Sequence, residues 1–204
     1  MLAAIASANP PLSARDRLLD AATELFATRG FQAIGLRDLA GYVGLHAGSL
    51  YHHIENKQCL LFELIESALS DLLADTKRRM KGASTPSERI RRFVQAFVSF
   101  SLNDKHRLVL VSREFVNLSE EHRLQAQRLK AAYWALLKAI VADEYQVKAK
   151  FEDEISLTTH AVIGMLYGQS QWDDMKANEH HLAEVLTRCA LGMIASGNTA
   201  SAQV

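Results

Sequence analysis

The sequence predicts an all-α protein of about nine helices, with a three-helix N-terminal unit of helix-turn-helix type ahead of a larger helical unit. Three observations predict it. Apolar residues recur at three- and four-residue spacing over long stretches, which is the period of an amphipathic helix. Strand-like alternation is scarce, and only three prolines interrupt 204 residues. Near the N-terminus, two short apolar stretches joined by a glycine follow a longer one, the order of a supporting helix, a first short helix, a turn and a second.

Residues 1–12 read as a flexible tail, mildly apolar, without the basic start of a signal peptide and ended by Pro10 and Pro11. The first helix starts at Ser13, a hydroxyl cap, with Asp16 near the positive end of the helix dipole. Leu18, Ala21, Ala22, Leu25 and Phe26 form its apolar stripe, Gly30 stops it, and Phe31 folds back toward the core. A second helix spans about Leu36 to Val43. Gly44 turns the chain, Leu45 plugs the turn, and a third helix covers about Ala47 to His53, with Leu50 and Ile54 inward. Asn56 caps a fourth helix, about Lys57 to Met80.

Thr85-Pro86-Ser87-Glu88 combines a capping hydroxyl, proline at the first position and a glutamate three after the threonine, so a fifth helix starts there and runs to about Leu102. The sixth covers about Lys105 to Val116, and the seventh starts at Ser119-Glu120-Glu121 and ends near Val141. The eighth spans about Glu152 to Trp172 and the ninth about Asn178 to Ser196. The organisation expected is a tail over 1–12, a head over 13–57, a helical body over 58–197 and a frayed tail over 198–204.

Composition limits the function. Apolar residues at 49% and charged residues at 23% suit a soluble globular chain with a substantial core. No apolar run approaches the ~18 residues of a membrane span. Cys59 and Cys189 are too far apart for a disulfide framework or a CxxC site, and they fit a reducing cytoplasm. Net charge is zero, so only local placement can speak for a polyanionic partner. No catalytic set, nucleotide loop or metal motif is present, so no enzyme, cofactor or metal is expected. The stretch GLHAGSLYHHIENK, with His46, His52 and His53, invites a metal reading. Adjacent histidines on a helix point about 100° apart, and residues seven apart are separated by about 10 Å along the axis, so these rings do not converge on one ion.

From Arg15 to Leu61 the order AATELF, RDLA and G-x-x-x-G-S-L-Y-x-H, with a lysine four residues later, resembles the DNA-binding domain of the TetR family of bacterial transcriptional regulators. The resemblance covers about a quarter of the chain. Departures are Gly35 and His46, where the family usually has hydroxyl caps, and Ile54, where it usually has phenylalanine. What the resemblance implies is a recognition helix in the major groove of a double-stranded DNA operator. Tyr51, His53 and Lys57 match phosphate-contacting positions, and His52 falls at the variable one. Ala47, Gly48 and Ser49 are small enough to approach the groove floor, His46 takes the place of a cap, and Arg37 is a further phosphate candidate. Residues 13–57 carry five basic and five acidic side chains, so a shallow salt dependence is expected.

The resemblance also implies an effector cavity in the body and dimerisation through the last two helices. Expected effector-binding residues are Phe97, Phe115, Tyr133, Trp134, His160, Met165 and Tyr167. The effector is expected to be small and largely apolar, and HAVIGMLYGQSQW resembles family members that respond to acyl-CoA thioesters. Ala161, Gly164 and Gly168 give the eighth helix a small-residue face, and Leu182, Val185, Leu186, Cys189 and Met193 supply a stripe on the ninth. A homodimer so formed predicts a palindromic operator and a repressor released by its effector. The alternative is a helical protein-interaction module whose uncharged head no longer binds DNA.

Overall fold

The computed structural model describes residues 13–50, 52, 54–145, 152–170 and 178–200. Among them are nine α-helices, one 3-10 turn and no strand. The helices are α1 (Ala14–Arg29), α2 (Leu36–Val43), α3 (Ala47–Leu50), α4 (Lys57–Met80), α5 (Pro86–Asn103), α6 (Lys105–Arg113), α7 (Glu120–Glu144), α8 (Glu152–Gln169) and α9 (Glu179–Ala200). The all-α expectation therefore holds, and the local reasons are visible at the helix ends.

Ser13 and Asp16 exchange bonds at the start of α1: the Ser13 hydroxyl accepts from the Asp16 N–H, and the Asp16 carboxylate accepts from the Ser13 N–H, each at 3.1 Å. At α2, Gly35 has no side chain to cap with, but the Asp38 carboxylate still accepts the Gly35 N–H at 2.7 Å. Asn56 accepts the Cys59 N–H at 2.8 Å, and Thr85 accepts the Glu88 N–H at 3.1 Å. Gly44 adopts φ 71°, a left-handed conformation that donates its N–H back to α2 and turns the chain into α3.

The head is held by Leu18, Ala22, Phe26, Phe31, Leu39 and Leu50, all buried. In the body, α5 is the central helix, packed against α4, α6, α7, α8 and α9. Ile90, Phe93, Val94, Phe97 and Val98 are buried along it because α5 has neighbours on most sides. The head rests on the body where α1 meets α6.

Several boundaries differ from expectation. The α-helical part of the recognition element is Ala47–Leu50, with His52 in a turn, while Tyr51 and His53 lie outside the described residues. α6 stops at Arg113, and Glu114–Asn117 tightens into a 3-10 turn that bends the chain toward α7. α8 is described to Gln169, and the expected end near Trp172 lies outside the described residues. α9 continues to Ala200, so 198–200 are helical rather than frayed, whereas 1–12 and 201–204 lie outside the described residues.

Candidate nucleic-acid interface and internal cavity

The turn at Gly44 lifts α3 to the surface. His46, Gly48 and His52 are exposed, and Ser49 is half-buried. The Ser49 and Leu50 N–H groups donate to the His46 carbonyl at 2.9 and 3.3 Å, so His46 occupies the cap position through its backbone. Leu50 and Ile54 anchor the element from below. The side chain of Ala47 lies outside the described residues, as do Tyr51 and His53. Arg37 on α2 is exposed and, among the described residues, carries no ion pair. Arg15, by contrast, is paired with Glu63 at 2.5 Å. No group of histidine, cysteine and carboxylate side chains among the described residues could hold a metal ion.

Lys57, the first residue of α4, is half-buried. Its ammonium stands 4.1 Å from the centroid of the Phe31 ring and 5.8 Å from that of Phe26. Burial holds its pKa below the ordinary lysine value, and the nearby Asp38 and Glu114 carboxylates oppose that shift. The same seam carries a polar strap. Gln32 from the head donates to the Asn117 side-chain oxygen at 2.9 Å, and Gln58 on α4 donates to the Asn117 carbonyl at 3.0 Å. Asn117 in turn donates to the buried Glu114 carboxylate at 2.7 Å. Sequence reasoning missed this strap. Its partners are 85 and 59 residues apart, and no local pattern marks them.

Farther along α4 lies a cavity of about 370 Å³, bounded by α4, α7 and α8 and lined by Leu69, Lys130, Ala131, Tyr133, Trp134, His160, Ile163 and Tyr167. Four residues expected in the effector site, Tyr133, Trp134, His160 and Tyr167, are brought together here. Three are not on its wall. Phe97 is fully buried behind Tyr167, with ring centroids 5.1 Å apart. Phe115 belongs to the 3-10 turn and faces the Lys130 ammonium, and Met165 is half-buried on another face of α8. Leu69, Lys130, Ala131 and Ile163 were not anticipated; Lys130 is three and four residues before Tyr133 and Trp134, a spacing that puts it on their face of α7. Burial pushes the Tyr167 pKa up to about 12 and raises that of Tyr133 well above the ordinary value, so both phenols stay neutral.

A second cleft of about 340 Å³ between α4, α5 and α6 is lined by charged side chains, and its arginines are already matched. Arg107 pairs with Asp71 at 2.5 Å, and Arg79 with Asp75 at 2.7 Å. It lacks the continuous apolar wall of the first.

The expected dimer residues divide. Ala161, Gly164 and Gly168 are exposed on α8, and a methyl group at either glycine would meet nothing within 4 Å. Cys189 is exposed on α9, with Val185 and Met193 half-buried. Leu182 and Leu186, at 4% and 6% exposure, lie inside the protomer, where α9 packs on α5.

Comparison with known proteins bears on both regions. Residues 18–64 match the family described as bacterial regulatory proteins, tetR family, and residues 83–194, more than half of the chain, match "Tetracyclin repressor-like, C-terminal domain". The chain is 36% identical over 80 residues to the HTH-type transcriptional repressor KstR2 of Mycolicibacterium smegmatis, covering 39% of each chain. It thus aligns with about two fifths of that relative's length. Its fold superposes with a TM-score of 0.82 on a TetR-family transcriptional regulator from Bordetella parapertussis, at 20% identity over 87% of this chain and 93% of that one. AibR in complex with isovaleryl coenzyme A and operator DNA superposes with a TM-score of 0.75, at 19% identity over 86% of this chain and 96% of that one.

Proposed function

The chain belongs to the TetR family of bacterial regulatory proteins, and from that premise we propose that it is an effector-responsive, DNA-binding transcriptional repressor. The protein acts as a homodimer joined through α8 and α9, binding a palindromic operator with α3 and its flanks. Arg37, His46, Ala47, Gly48, Ser49 and His52 face base edges and backbone, with Tyr51, His53 and Lys57 holding phosphates. The operator half-sites lie about one DNA turn, ~34–36 Å, apart. The effector is small and largely apolar and enters the cavity between α4, α7 and α8. A likeness to AibR, described with isovaleryl coenzyme A, puts acyl thioesters among the classes to test.

One observation carries the coupling. Lys57 in the head and Leu69 in the cavity stand on the same unbroken helix, α4. Their separation of twelve positions along the helix spans about 18 Å. An effector that displaces the wall at Leu69 moves a rigid rod whose other end carries Lys57. The strap at Asn117 holds that end to the body. Effector binding then favours a dimer whose heads are spaced wrongly for DNA.

Selection of genomic fragments on the purified protein, followed by footprinting, tests the DNA half of the proposal. A two-fold symmetric footprint is the expected result, and failure to enrich any fragment would return the chain to the interaction-module reading. Operator affinity measured with and without acyl thioesters and apolar acids tests the effector half.

A further inference from the structure

The cavity bounded by α4, α7 and α8 is apolar over most of its wall, with a few polar side chains set into it. Tyr133 is 4% exposed, and its hydroxyl stands against the Thr76 hydroxyl on α4. The Trp134 indole N–H is buried and without a partner. An indole N–H can only donate. Lys130 lies on the same wall, and its ammonium rests 4.4 Å from the centroid of the Phe115 ring. No described carboxylate pairs with it, and no aspartate or glutamate is among the residues lining the cavity. Lys130 is exposed at the rim of the cavity, and partial desolvation there lowers its pKa. Lys138 provides the contrast: it too stands over Trp134, 5.0 Å from the ring centroid, but it is paired with Glu152.

Lys130, Tyr133 and Trp134 are related by three and four residues on α7, so they present one face. That face offers one cation without a carboxylate partner and one unused donor, the Trp134 indole, beside an apolar wall of Leu69, Ile163 and Tyr167. A wholly apolar ligand would leave that donor unsatisfied. The uncharged thioester linkage would supply an acceptor but no counter-charge at this wall, because the charges of a coenzyme A ester sit on its phosphates at the far end of the pantetheine arm.

We infer that the effector is an organic anion, a compact apolar body carrying one free acid group, with the acid paired to Lys130 and accepting from the Trp134 indole. This rests on the reading of the cavity as the effector site and narrows its ligand to free acids rather than their coenzyme A thioesters.

Two fluorescent probes with one ring skeleton test it on the full-length protein: anilinonaphthalene sulfonate, whose acid is always ionised, and the neutral phenylnaphthylamine. Lys130→Met is expected to weaken the sulfonate at least about tenfold, the scale of one charge-assisted bond, and to leave the neutral probe within about twofold. Lys130→Arg keeps the charge and is expected to keep sulfonate binding. Naphthoate is expected to displace the sulfonate, and its methyl ester and coenzyme A thioester to do so more weakly. Equal effects of Lys130→Met on both probes, or a thioester that competes as well as the free acid, would overturn the acid assignment alone. Ile163→Trp, which fills the cavity, locates the probes. If neither probe binds, or if both bind this variant as they bind the unaltered protein, the effector-cavity reading falls and the acid assignment with it.

Discussion

The Lys57 ammonium stands 4.1 Å from the centroid of the Phe31 ring, where α4 leaves the head. The residue that the family resemblance makes a phosphate contact is thus also a brace for the aromatic that closes α1. Replacing it with methionine keeps most of the stem and removes the charge. The expected cost is about 0.5–1 kcal/mol, the worth of a cation over an aromatic face. The slope of log affinity for operator against log salt is expected to fall by about 0.9, one phosphate. Thermal melts and a salt titration read the two effects separately; an unchanged slope would leave Lys57 as a brace only.

Asn117 ties three segments through Gln32, Gln58 and Glu114. Asn117→Ala keeps the carbonyl that Gln58 uses but removes the donor to the buried Glu114 carboxylate. A buried acceptor left unpaired costs about 1–3 kcal/mol. The urea midpoint should shift accordingly, and a midpoint that stays put would show that water replaces the amide at no cost.

Glu88 accepts the Ser84 N–H at 3.1 Å and pairs with Arg92, and these two interactions hold its pKa below the ordinary glutamate value. A depressed folded pKa means that the unfolded chain binds the proton first. The stabilisation is fully present above the ordinary value of about 4.3, and it is lost as pH falls through the lowered one. Glu88→Gln should therefore cost stability at neutral pH and flatten the acid limb. Melting temperature against pH from 7 to ~3 checks it, and parallel curves for the two proteins would contradict it.

Two glycines are required for different reasons. Gly44 sits at φ 71° with open space around it, so Gly44→Ala pays only for the left-handed backbone, about 1–2 kcal/mol. Gly197 has no such strain, but a methyl group there would run into the Tyr145 hydroxyl. Gly197→Ala is expected to cost about 1–3 kcal/mol as overpacking. Combining it with Tyr145→Phe, which removes the clashing oxygen, should recover part of the loss in a double-mutant cycle. Strict additivity would mean that the two residues do not meet.

Gly164 faces outward on α8 with nothing near it. Gly164→Trp should leave the protomer folded by circular dichroism and shift sedimentation from dimer to monomer, with loss of operator binding. A variant that stays dimeric would move the interface away from α8.

Much of the fold is legible because its causes are local. Helical period, the Ser13, Asn56 and Thr85 caps and the Gly44 turn each depend on residues within four positions of one another. The same is true of the head, where GSL between a glycine turn and a capping asparagine already marks a short helix lifted from its support. The candidate cavity was half legible. Aromatics in the body could be named, but whether Phe97 or Tyr167 reached the cavity depended on which helix stood behind each.

The sequence by itself therefore determined the helices, their order, the recognition element and the family, since these follow from spacing along the chain. Only the tertiary structure decided which faces meet. It turned Leu182 and Leu186 onto α5 and left the α8 glycines outside, joined Gln32 to Asn117 across 85 residues, and set Lys130 without a carboxylate beside Trp134. The physical reason is that an apolar stripe or a charge fixes what kind of neighbour a residue needs. Which neighbour it gets is settled only when all the helices compete for the same core.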